Sequence, residues 1–101
     1  MWIEYSLFNA ETEESLSGYL NLNNVLDIQL DYYNGVASSL VINGHGQCPH
    51  LWEEGNRLDT MAVFNAFKQV LCGESVEIEG IGFVRPLHKQ PTFNYSLCQY
   101  T

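Results

Sequence analysis

Positive charge is what this chain has least of. Arg57, Lys68, Arg85 and Lys89 stand against twelve acidic residues, for a formal net charge of -8. Phosphate backbones and anionic membranes are therefore disfavoured as partners, and a cationic partner is favoured. Long apolar runs are missing as well: nothing approaches the ~18 residues a membrane span requires. Met1-Trp2-Ile3-Glu4 has neither the basic start nor the apolar core of a secretory leader. Cys48, Cys72 and Cys98 are odd in number and widely spaced, so no disulfide framework is implied and reduced thiols are expected. These shortages point to a cytoplasmic protein that binds neither membrane nor nucleic acid directly.

Catalytic signatures are equally sparse. Gly80-Ile81-Gly82 lacks the rest of a dinucleotide fingerprint and no helix pattern follows it. Cys48 beside Pro49 forms no nucleophile turn, and its nearness to His45 and His50 supplies neither an orienting group nor oxyanion donors. Glu53-Glu54 precede a helix, where acids are favourable, and Glu77 and Glu79 alternate outward on a strand. The expectation is a protein that is not an enzyme and carries no cofactor.

What is present suits one folded domain over 1–101, with 46% hydrophobic and 13% aromatic residues to build a core. Only residues 59–72 have the apolar period of a helix: Val63, Phe64, Phe67, Val70 and Leu71 share an arc that excludes Asn65, Lys68 and Gln69. Asp59 is the expected N-cap, Leu58 and Val63 a hydrophobic staple, and Gly73 the left-handed stop. Cys72 is expected to be a packed thiol.

Strand patterns surround the helix. Trp2 to Phe8 carries large apolar groups on both faces and reads as covered on both. Asn9 to Ser15 reads as an exposed acidic loop or a single helical turn, and Tyr19 to Leu22 as a short strand. Val25 to Tyr33 alternates strictly, and Asn34-Gly35 predicts a type I′ turn with Val36 to Asn43 returning antiparallel. An unbroken register sets Ile28 against Val41 and Asp27 against Ile42, which turns Leu40 and Ile42 onto the polar face. Either a bulge re-phases the strand or something covers that face: another segment, a partner, or a second copy in a homodimer. Gly44 to Gly55 reads as loop, Ser75 to Val84 as one strand kinked by glycine, Arg85 to Pro91 as a connection and Thr92 to Tyr100 as a last strand. The sum is an α+β fold: a mainly antiparallel sheet of five or six strands packed on one principal helix, with strand order open.

Two stretches are candidates for function. His45, Cys48 and His50 put three metal-capable side chains in six residues, but at a spacing that matches no common structural zinc motif. The acids come from separate segments and can merge into one patch beside exposed aromatic rings such as Tyr33, Trp52 or Tyr100. Candidate partner contacts are Asp31, Tyr33, Trp52, Glu53, Glu54 and Glu77. Elimination leads to a small acidic binding protein that inhibits a basic partner, foremost an immunity protein neutralising a toxin nuclease domain. The alternatives are a phage-type anti-defence inhibitor that mimics nucleic-acid charge, and a small metal-binding protein centred on the His45/Cys48/His50 loop. With 16% of residues charged, the chain is sparse for an extensive duplex mimic.

Overall fold

A computed structural model of the chain describes residues 1–44 and 50–91. Its elements are β1 (Trp2–Asn9), β2 (Glu14–Asn21), β3 (Val25–Tyr33), β4 (Val36–Gly44), β5 (His50–Trp52), α1 (Arg57–Leu71), β6 (Val76–Ile78) and β7 (Gly82–Leu87). The class is α+β, but the strands divide between two antiparallel sheets, of order β2-β1-β7-β6 and β3-β4-β5, where a single sheet of five or six was expected. The division falls at Asn21, whose side chain accepts from the Asn23 amide and caps a 3-10 turn over Leu22–Asn24. That turn carries the chain off the β1–β2 ladder before β3 begins.

Helix α1 packs on β4 of one sheet and on β6 and β7 of the other, so one core serves both. Ile3 and Leu7 of β1, Leu40 and Ile42 of β4, Leu51 and Trp52 of β5, and Val84 of β7 meet Val63, Ala66, Phe67 and Val70 there. Tyr5 joins them, its ring centroid 6.3 Å from that of Phe67, and burial raises its phenol above the ordinary value of 10.0. The opposite face of β1 is less covered than its apolar content suggested, since Phe8 is 40% exposed.

The helix begins two residues earlier than its apolar period does. Asn56, in extended conformation, is the N-cap and accepts from the Asp59 amide at 2.8 Å. Asp59 is instead a first-turn acid, well placed against the helix dipole, and accepts from the Asn56 side-chain amide at 2.8 Å. No staple closes over this end, because Leu58 is 76% exposed. At the other end Gly73, at φ +92°, donates to the Val70 carbonyl while Glu74 donates to Gln69, the paired bonds of a Schellman stop. Leu71 and Cys72 are exposed rather than packed, lying where this last turn leaves the core.

The Asn34-Gly35 hairpin forms as expected, with positive φ at both residues and Tyr33 opposite Val36. Its register then shifts. Tyr32 pairs with Ala37 but Asp31 pairs with Ser39, so Ser38 is the extra residue of a bulge. Beyond it Leu30 faces Leu40 and Ile28 faces Ile42, in place of the Ile28–Val41 pairing of an unbroken ladder. Leu40 and Ile42 are consequently buried in the core, at 0% and 2% exposure, and offer no apolar surface for a homodimer.

Glycine has a different effect after the helix. Instead of kinking one strand, Gly80 (φ +77°) turns the chain back, pairing Ile78 with Gly82 and making β6 and β7 a hairpin. Gly82, at φ +147°, lies so close to the Ser6 carbonyl of β1 that a Cβ could not fit. β7 continues through Arg85 and Leu87, since Pro86 lies in the strand paired with Ile3. β2 is also longer than the Tyr19–Leu22 expectation, and β5 occupies part of what read as loop. The expected strand from Thr92 to Tyr100 lies outside the described residues.

Candidate functional site: an acidic end with an open cleft

The site is built around the four residues that join β5 to α1. Trp52 ends β5 fully buried, and its indole N–H donates to the Thr60 hydroxyl at 2.9 Å on the first turns of the helix. Gly55 lies under that indole, where a Cβ would overlap Trp52 Nε1 and Thr60 Oγ1. Its amide donates to the Ser38 carbonyl at 2.9 Å. Glu53 and Glu54 are thus carried outward on a loop fixed at both ends, Glu54 in left-handed backbone at φ +54°. Trp52, expected as an exposed contact, supports the site from beneath: its large apolar surface has the core to fill and its one N–H a buried acceptor.

Two neighbouring segments are tied to this loop. On one side Asn9, itself buried, donates from its side-chain amide to the Glu53 carbonyl at 2.8 Å, and its Oδ1 accepts from the Glu11 amide at 3.1 Å. The Asn56 side chain completes the link, donating to Glu11 Oε1 at 3.4 Å. The β1–β2 turn, with Glu11, Glu13 and Glu14, is thereby held against the β5–α1 loop. On the other side the Ser38 bulge holds the β3–β4 hairpin, and the Glu54 amide approaches Ser39 Oγ at 3.4 Å. Between hairpin and loop lies an open cleft of about 620 Å³, lined by Asp31, Tyr32, Tyr33, Ser38, Ser39, Glu54 and Gly55.

Of the expected contact residues, Asp31, Tyr33 and Glu54 therefore come together, with Glu53 beside them. Glu77 does not join them: it sits on β6, an edge strand of the other sheet, opposite Phe83. Asp27 also lies outside the group, accepting from Asn43 and Gln29. Sequence reasoning missed Tyr32, Ser38 and Ser39. The strict alternation assigned Tyr32 to the buried face, but at the hairpin tip that face has outrun the core and leaves it 60% exposed.

Little neutralises these carboxylates. Among the described residues the ion pairs are Glu4 with Arg85, across β1 and β7, and Glu53 with His50 at 3.5 Å, the latter only when the imidazole is protonated. The cations Arg85 and Lys89 line a different cleft with Glu4, Tyr19 and His88. Glu4 and Arg85 face each other near the start of β1, and Asn9 and Glu14 at its end. At roughly 3.3 Å per residue that sets the two charge groups some 15–20 Å apart.

The metal reading is narrower in structure than in sequence. His45 and Cys48 lie outside the described residues, and His50 is exposed at the start of β5. Among the described residues no group of three His, Cys, Asp or Glu side chains is arranged to hold a metal ion. No helix there is long and apolar enough to cross a membrane. Comparison with family models, curated proteins and solved structures finds no match to this chain.

Proposed function

We propose that this chain is a small cytoplasmic binding protein that inhibits a basic protein partner, and that it acts as an immunity protein against a toxin nuclease domain. One observation carries the reading. Glu11, Asp31 and the adjacent Glu53 and Glu54 come from three segments that neutral hydrogen bonds hold at one end of the molecule, with Arg85 and Lys89 in a separate cleft. Among the described residues no arginine or lysine lies within ion-pair distance of these carboxylates, and Arg57, which opens α1 directly after the loop, is the one such residue close to them in sequence. Such an arrangement steers a cationic surface toward this end and rewards its neutralisation.

In this reading the carboxylates take the place of nucleic-acid phosphates on the partner's basic groups, while the exposed Tyr32 and Tyr33 rings supply apolar contact area. Asp31, Tyr33, Glu53 and Glu54 are the contact residues; Trp52 holds their loop in position. A pull-down with the purified protein at low and at moderate salt tests it. The expected result is capture of a basic protein that weakens as salt rises, and that weakens further with Glu11→Gln, Glu53→Gln and Glu54→Gln combined. Capture that ignores salt, or of no basic protein at all, would overturn the proposal. A basic toxin domain encoded in the adjacent reading frame would support it independently.

A further inference from the structure

We infer that the cleft between the β3–β4 hairpin and the β5–α1 loop is the seat of a single arginine side chain of the partner. The inference rests on the basic-partner reading and names the chemistry of its anchor. At about 620 Å³ the cleft has the size of a ligand pocket and exceeds what one ammonium group would fill. Its two walls carry one carboxylate each, Asp31 from the hairpin and Glu54 from the loop. Asp31 Oδ1 accepts from the Tyr32 amide at 3.0 Å, which leaves its second oxygen for a ligand. Glu54 has no arginine or lysine partner among the described residues.

The remaining lining decides between cations. Tyr32 and Tyr33 are 60% and 73% exposed, and aromatic faces attract a cation laid over them. Ser38 and Ser39 add hydroxyl acceptors. A guanidinium has a planar face to stack on a ring and five N–H donors spread round its rim, so it can serve acceptors on both walls at once; a lysine ammonium is a compact, more strongly hydrated point charge with three donors. The absence of any three-residue metal-holding group among the described residues removes a divalent ion as the better occupant.

The test is an amide chemical-shift titration with N-acetyl-arginine methylamide, run beside the lysine and citrulline counterparts. Saturating shifts are expected at Asp31, Tyr32, Tyr33, Ser39 and Glu54 with the arginine probe. Binding should be at least about threefold weaker with lysine, and absent with uncharged citrulline. Asp31→Asn with Glu54→Gln, both isosteric and at exposed positions, should weaken arginine binding about tenfold or more while leaving the rest of the spectrum in place. No saturation up to roughly 100 mM, shifts centred elsewhere, equal response to lysine or citrulline, or an unaffected double variant would each overturn the inference. Partner capture is read separately. A double variant that captures the basic partner undiminished overturns the arginine seat while the basic-partner reading stands.

Discussion

The two ends of β1 treat carboxylates in opposite ways. Near its start Glu4 accepts from Arg85 Nε at 2.6 Å, and that guanidinium also lies over the Phe83 ring with 5.0 Å to the centroid. Acid and base cancel within that pair. At its end, the bonds that fix the acidic loops come from amides and one indole: Asn9 to Glu53, Asn56 to Glu11, Gly55 to Ser38 and Trp52 to Thr60. The lesson is that a loop can be fixed without neutralising its charge, provided the fixing donors are uncharged. An end built this way keeps a negative field that its own hydrogen bonds do not cancel.

That contrast can be broken most severely from below. Trp52→Ala removes the largest buried side chain and the donor to Thr60, and should cost about 3–5 kcal/mol in denaturant unfolding, releasing the β5–α1 loop and with it the cleft. A loss under about 1 kcal/mol would mean the indole is not the support described. Asn56→Ala removes the helix cap and the link to Glu11 together, and should lower stability by about 1 kcal/mol while the amide of Asp59 gains hydrogen exchange. At the neutralised end the effect should be smallest. Arg85→Ala breaks an exposed pair, and should cost no more than about 1 kcal/mol in low salt and less in high salt. It should also leave partner capture unchanged or slightly improved, since it adds to the negative field; a larger loss of capture than with the Glu11, Glu53 and Glu54 changes would reverse the assignment of the two ends.

The parts of this fold visible in the residues were those where one local rule suffices. The arc of Val63, Phe67 and Val70 marks a helix because nothing else has that period, and Asn34-Gly35 marks a hairpin because few other pairs tolerate its backbone. What escaped was set by partners distant in sequence. Whether Gly80 and Gly82 kink a strand or close a hairpin depends on β1 standing beside β7, where Gly82 meets Ser6. The cap moved from Asp59 to Asn56 because the helix starts where the loop can be held, not where apolar residues begin. Trp52 read as a surface anchor because an aromatic among glutamates looks exposed, and only the position of Thr60 reveals its buried acceptor. Asp31, Tyr33 and Glu54 were nameable one by one, but their common cleft was not, since it depends on the Ser38 bulge.

That single extra residue gives the hairpin a property of parity. Were Ser38 paired into an unbroken ladder, Leu40 would face Gln29 and Ile42 would face Asp27, on the polar side; deleting Ser38 would instead leave Leu30 against Leu40 and Ile28 against Ile42 as a regular ladder. What its loss would remove is the carbonyl that receives the Gly55 amide, so this residue is spare to the ladder and yet the tether of the neighbouring loop.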